Sequence, residues 1–154
     1  MQPDIKLAIV VAEFNKDVTE KMLQQSLKRA TELHVVTTYV CKAPGSYDIP
    51  LLAQVLLGKE DVDAVVALGA IVQGGTSHDE VIGHALAEKL VSISLQFKKP
   101  VALGVSGPRM SMKQAQERGV DYANRSVEAA VKMVQNQQTL TTRVENPTYP
   151  VVIG

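Results

Sequence analysis

Apolar residues recur along this chain with two alternating periods. Apolar stretches of strand length, at residues 5–11, 34–40, 63–71 and 100–105, are separated by segments in which apolar residues return every three or four positions. Residues 17–33 place Val18, Met22, Leu23, Leu27 and Ala30 on one helical face, and residues 77–97 do the same with Ile82, Leu86, Leu90, Ile93 and Phe97. The pattern also predicts short helices over 48–57, ending at Gly58, and over 111–118, then a last helix over 121–134 with Val127, Ala130, Val131 and Val134 inward. Asp17 with Glu20, Ser77 with Glu80 and Ser111 with Gln114 have capping-box spacing, in which each side chain satisfies an amide of the first helical turn. The run Ala64-Val65-Val66-Ala67-Leu68 is apolar on both faces, which suits a strand covered by helices above and below. The βαβαβαβα order therefore predicts an α/β fold, a three-layer, doubly wound, four-stranded parallel sheet. One domain is expected over residues 1–134, followed by a polar tail over 135–154 whose closing Tyr149-Pro150-Val151-Val152-Ile153 is apolar enough to dock.

Composition narrows the function classes. A chain of 154 residues with 45% hydrophobic content can bury one sizeable core. Its 16 basic and 16 acidic residues balance, so no overall field favours nucleic acid or an anionic membrane. Any anionic ligand must be held by local geometry. A single cysteine excludes an internal disulfide, and neither a leader pattern nor an apolar run near the ~18 residues of a membrane span is present, so a soluble, cytoplasmic protein is expected. Cys41 could serve as a nucleophile or pack against the core, and packing is the expectation because it ends an apolar strand pattern. His78 and His84 fall on different helix faces and no close ligand pair exists, so no metal is expected.

In sheets of this kind ligands bind beyond the carboxyl ends of the strands. The segments that follow the four strands are Glu13-Phe14-Asn15; Ala43-Pro44-Gly45-Ser46-Tyr47-Asp48; Gln73-Gly74-Gly75-Thr76-Ser77-His78; and Ser106-Gly107-Pro108-Arg109. They bring aromatics, a carboxylate and a histidine to one edge. Gly74 and Gly75 allow close backbone approach, and a helix starting near Ser77 would offer unpaired amides and its positive dipole end to a phosphate beside Thr76 and Ser77. His78 would stand next to that anion as a proton-transfer group. The plainer alternative is an ordinary βα turn with an exposed His78, and for each of the other loops ordinary turn chemistry.

Taken in order, Glu13-Phe14-Asn15, Pro44-Gly45-Ser46-Tyr47-Asp48-Ile49-Pro50, Gly69-Ala70 through Gly74-Gly75-Thr76-Ser77-His78, and Gln114-Ala115-Gln116-Glu117-Arg118 followed by Asn124-Arg125 resemble the lumazine synthase family from about Leu7 to Val134. The resemblance implies a flavodoxin-like fold. It also implies condensation of 5-amino-6-(ribitylamino)uracil with 3,4-dihydroxy-2-butanone 4-phosphate to 6,7-dimethyl-8-ribityllumazine, phosphate and water, without metal or organic cofactor. By position, Phe14 would stack on the pyrimidine, and Ser46, Tyr47 and Asp48 would hold the ribityl chain. Asn15, Ala70, Ile71, Val72, Leu103 and Arg125 would complete the substrate site, Gly75, Thr76 and Arg118 would bind the phosphate, and His78 would shuttle protons. Arg118 read by itself is either that phosphate ligand or a solvated cation at a helix end. The resemblance further implies homopentamers with sites between neighbours, in which Leu103, Arg118 and Arg125 come from the next subunit. In many members twelve pentamers form an icosahedral shell, and riboflavin synthase is an expected partner.

Departures from the commoner bacterial pattern point to the archaeal branch. Asp79 stands where an aromatic often follows the histidine, Tyr47-Asp48 replaces Phe-Glu, Leu103 replaces an aromatic over the pyrimidine, and Arg125 replaces lysine. Two alternatives remain at this point. One is the archaeal type of riboflavin synthase, which would need no phosphate cradle; the other is a flavin- or lumazine-binding module or shell protein without catalysis.

Overall fold

The computed structural model describes residues 4–142 and 145–154. Four strands, β1 (Lys6–Ala12), β2 (Val36–Ala43), β3 (Ala64–Ala70) and β4 (Val101–Ser106), form one parallel sheet in the order β2-β1-β3-β4. Between them run α1 (Lys16–Glu32), α2 (Ile49–Leu57) and α3 (His78–Phe97), and α4 (Met112–Thr141) closes the order. Side chains of β1 and β3 alternate between two cores, as the period of two requires. Leu7, Ile9, Val66 and Leu68 meet Met22 of α1 and Val127 of α4 on one face. Ala8, Val10, Val65 and Ala67 meet Ile49 and Leu57 of α2 and Leu86 and Leu90 of α3 on the other. The expected three-layer fold is therefore the observed one. Burying a side chain such as Ile9 or Leu68 completely stabilises the fold by roughly 1.5–3 kcal/mol, so β1 and β3, apolar on both faces, form its centre.

Strand limits differ from expectation by a few residues at the ends. β2 starts only at Val36, because His34, with φ 57°, turns the chain out of α1, and it runs through Cys41 to Ala43. Cys41 is half-buried, packed against the second core.

Three expectations about helices are corrected. Residues 111–118 and 121–134 form one helix, not two. Gly119 does not end a helix but permits close packing, since a Cβ there would come within 3.0 Å of Val18 Cγ1 and 3.2 Å of Met22 Cγ on α1. The capping boxes at Asp17 and Ser77 are not formed. α1 is led by Asn15 in the left-handed region, with φ 59°, and Ser77 makes no capping hydrogen bond. The third box is made as expected, with Ser111 Oγ accepting from the Gln114 amide at 3.1 Å and Gln114 Oε1 accepting from the Ser111 amide at 3.0 Å.

The segment expected as a tail begins as helix, since residues 135–141 continue α4. Residues 1–3 of the expected domain and residues 143 and 144 of the expected tail lie outside the described residues. Val151 and Ile153 line a groove of about 640 Å³ with Leu95, Pro100, Met133 and Leu140, at the sheet edge opposite the loops singled out above.

Candidate functional site

The strand order reverses direction between β1 and β3, and a crevice opens there beyond the carboxyl ends of both strands. Asn15 bridges it. Its left-handed backbone turns the chain into α1, and its Nδ2 donates to the Ala70 carbonyl at 2.7 Å. The loop after β2 reaches the same place. The amide of Phe14 donates to the Pro44 carbonyl at 3.0 Å, and Ser46, in a 3-10 turn over Ser46–Asp48, packs its Oγ against Gly69 where a side chain would stand. A Cβ at Gly69 would collide with the Ser46 hydroxyl, so that side chain would have to turn away.

These contacts enclose a cavity of about 400 Å³, within the size range of small-molecule sites. Phe14, Asn15, Ser46, Tyr47, Ala70, Ile71, Val72, Thr76 and His78, all singled out from the sequence, line it together with Gly45, Gly74, Asp79 and Ile82. Phe14 and Tyr47 stand 72% and 69% exposed at its mouth, two large apolar faces unfilled by the chain itself. Asp48 and Gly75 are adjacent to the lining without joining it. The Asp48 carboxylate accepts from the Gly45 amide at 2.9 Å and so shapes the second loop.

The third loop leads into α3 with its backbone open. Among the described residues the amides of Gly75, Thr76 and Ser77 meet no protein acceptor, and that of His78 reaches only Thr76 Oγ1 at 3.3 Å. Unpaired amides at the positive end of a 20-residue helix can hold an anion. Asp79 and Glu80 of the first turn face away from that role. Asp79 Oδ2 accepts from the Arg109 amide at 2.9 Å, and Glu80 Oε1 pairs with Arg109 Nε at 2.7 Å, which pushes the Arg109 guanidinium above its already high ordinary value.

Leu103, Arg118 and Arg125 are not brought to this cavity within one chain. Leu103 and Arg125 line a separate, shallow cavity of about 250 Å³ with Tyr122, Ser126 and Ala129. Leu103 is 51% exposed on the edge strand β4. Arg125 lies 5.4 Å from the Tyr122 ring centroid and pairs with Asp121 at 3.0 Å. Arg118 is exposed on α4, beside neither cavity.

Reading the sequence did not single out Asp79, Ile82 or Tyr122 as lining residues. Ile82 belongs to the α3 stripe read as core, and it packs against the core while its free side reaches the cavity. For Asp79 the only signal was a carboxylate where the pattern calls for an aromatic.

The chain matches the family described as 6,7-dimethyl-8-ribityllumazine synthase over residues 4–138. Proteins bearing that name from three archaea are similar to it over nearly their whole length. The one from Pyrobaculum arsenaticum is 52% identical over 136 residues, 88% of this chain and 91% of the relative. That from Saccharolobus solfataricus is 48% identical over 90% of each chain. That from Staphylothermus marinus is 47% identical over 88% of this chain and 90% of the relative. A match that takes in all four strands, the crevice between β1 and β3 and all but the last turn of α4, with relatives near half identical, makes the chain a member of the 6,7-dimethyl-8-ribityllumazine synthase family.

Proposed function

We propose that the crevice between β1 and β3 condenses 5-amino-6-(ribitylamino)uracil with 3,4-dihydroxy-2-butanone 4-phosphate to 6,7-dimethyl-8-ribityllumazine, releasing phosphate and water, as a cytoplasmic transferase of riboflavin biosynthesis. The observation that carries this reading is the convergence of Phe14, Ser46, Tyr47, Thr76 and His78 on one cavity of about 400 Å³ beside an open helix N-terminus. The exposed ring of Phe14 is free to stack on a flat pyrimidine, and the loop carrying Ser46, Tyr47 and Asp48 offers hydroxyls and a carboxylate to a polyhydroxyl chain. Backbone from Ala70, Ile71 and Val72 frames the ring edge between them, with Asn15 tying the frame to α1.

The phosphate of the second substrate fits the open amides near Gly75 with the hydroxyl of Thr76, and its elimination would leave the anion where the helix dipole favours it. Schiff-base formation, phosphate elimination and ring closure each take and give protons. The exposed His78 imidazole, the first residue of α3, lines the cavity, and this supports a role for it in moving them. Holding two molecules side by side supplies much of the remaining acceleration, up to roughly 7–11 kcal/mol in favourable intramolecular cases.

Leu103, Arg118 and Arg125 complete the site from a neighbouring copy of the chain. Their exposure away from their own chain's cavity supports this, and so does the position of β2 and β4 as open sheet edges. A homopentamer is the assembly that the family resemblance implies, with twelve pentamers in a shell as its larger form and riboflavin synthase as the consumer of the product.

The test mixes protein and both substrates and follows lumazine absorbance together with released phosphate. Stoichiometric product is expected, with kcat of His78→Ala lowered by about tenfold to a hundredfold yet above background, near the low end of general acid–base contributions. Absence of lumazine above the uncatalysed rate sinks the reaction, and an unchanged single-turnover rate in His78→Ala removes the histidine from it.

A further inference from the structure

Among the described residues Asp79 is the one ionisable side chain that is buried, at 5% exposure. A carboxylate out of water is costly unless its oxygens are bonded, so its partner indicates what the burial achieves. The partner is the backbone amide of Arg109, at 2.9 Å, in a turn where Gly107 and Arg109 both lie in the left-handed region, with φ 97° and 58°.

Beside the packing of Ile82 against the second core, the same turn makes two further contacts with the first turns of α3. Arg109 Nε pairs with Glu80 at 2.7 Å, and Pro108 lies so close to Gly83 that a Cβ there would come within 2.9 Å of its Cδ. Ser77 contributes no capping bond, so α3 is not fixed by its own N-cap. The turn is itself tied to the end of β3, through the Ile71 amide on the Ser106 carbonyl at 2.8 Å and the Gln73 amide on the Met110 carbonyl at 2.7 Å. Residues 74–78, which include the open amides and His78, thus span two points, Gln73 and Asp79, both clamped to the β4–α4 turn.

We propose that Asp79 is a positioning residue for the condensation: by gripping the Arg109 amide it sets the first turn of α3, and with it Thr76, Ser77 and His78, against the phosphate of the bound ketone. The role rests on the proposed reaction. The Glu80–Arg109 pair reinforces the grip weakly, because the Arg109 side chain is 74% exposed and an exposed ion pair contributes little. The buried bond dominates, since its loss leaves an unpaired amide as well as an empty space.

The test compares Asp79→Ala with Asp79→Asn, whose carbonyl oxygen can still accept from Arg109. In Asp79→Ala, amide hydrogen exchange in residues 74–82 accelerates while exchange in β1 and β2 does not. KM for the butanone phosphate, and the inhibition constant of inorganic phosphate, rise about fivefold to tenfold. KM for the pyrimidine, which Phe14 and the second loop contact, stays within about twofold, and Asp79→Asn stays within about threefold of the parent in every readout. Unchanged exchange in residues 74–82 of Asp79→Ala overturns the clamp whatever the kinetics. Equal impairment of the two variants, or a parallel rise of both KM values, also overturns it, by assigning the effect to charge or to general loss of structure. A parent protein that makes no lumazine overturns the proposed reaction instead, and the clamp is then decided by hydrogen exchange and by inorganic phosphate binding alone.

Discussion

At the C-terminal end of α3 the protein binds the Ser94 carbonyl and the carbonyls of Lys98 and Lys99 just past the helix, whereas at its N-terminal end the amides are left open. Ser94 Oγ donates to the Lys99 carbonyl at 2.8 Å, Gln137 Nε2 to the Lys98 carbonyl at 2.5 Å, and the Lys98 and Lys99 amides return to the Ser94 carbonyl. Lys99 Nζ then bonds the carbonyls of Leu57 and Lys59 at 2.9 and 2.8 Å, placing a positive charge on the negative dipole end of α2. At the other end Ser77 caps nothing, and the amides of residues 75–77 meet no protein acceptor among the described residues. Both ends belong to one helix in one solvent. The open amides are thus confined to the end of α3 that borders the crevice. The first turns are held sideways, by the turn after β4, which leaves the helix axis free to face an anion.

The comparison breaks most readily at Gly107. Its φ of 97° disfavours any side chain, and a Cβ would press into the Ile71 carbonyl, backbone that cannot step aside. Gly107→Ala should destabilise the protein by about 3 kcal/mol, from strain and collision together, and turnover should fall further than the folded fraction does because the clamp on α3 shifts. Denaturant midpoints with activity per folded protein check both parts. A variant as stable and active as the parent would show that the turn after β4 does not hold the open end.

Lys99→Met tests the closed end. It keeps the aliphatic stem and removes the two bonds to Leu57 and Lys59, for a loss of about 1–2 kcal/mol, while kcat and both KM values stay within about twofold. A drop in kcat without a drop in melting temperature would mean that the two ends of α3 are coupled through the helix, and the division between a stabilising end and a working end would fail.

The same division marks what the sequence made legible. The apolar runs of β1 and β3 and the stripe of Leu86, Leu90 and Ile93 report burial directly, so element order and sheet type could be derived from period alone. The rule that ligands sit at strand ends then placed Phe14, Tyr47 and His78 on one edge, where the cavity is found. Capping was less legible. The spacing of Ser77 and Glu80 matches a capping box as well as that of Ser111 and Gln114 does, yet Glu80 is taken by Arg109, 29 residues away, and no local pattern encodes that competition. The break expected between residues 118 and 121 failed for a similar reason: the role of Gly119 in letting two helices touch shows only when α1 is seen beside it. Leu103, Arg118 and Arg125 do not line their own chain's cavity, and the family resemblance, not the pattern, named them.

The smallest expected effect sharpens the closed end further. The Lys59 carbonyl that binds Lys99 sits in a turn also fixed by Tyr39, whose hydroxyl donates to Asp61 at 2.6 Å with the Lys59 ammonium 5.1 Å from its ring centroid. That bond holds the Asp61 carboxyl below its ordinary 3.8, and the Asp61 carboxylate pushes the Tyr39 phenol above its ordinary 10.0. For Asp61, with its folded pKa lowered, the stabilisation is present above the unfolded value and disappears as pH falls through the folded one. For Tyr39, with its folded pKa raised, it is present below the unfolded value and disappears as pH rises through the folded one. The bond's contribution is therefore full between about pH 4 and about pH 10 and fades beyond each limit, and it is slight throughout, since both groups are partly open to solvent. Tyr39→Phe should melt a little below the parent near neutrality and level with it at both extremes, with unchanged turnover. A deficit that persists at every pH would assign the effect to packing of the ring beneath Lys59, and a loss of activity would carry the influence of this turn past α2 to the open end of α3.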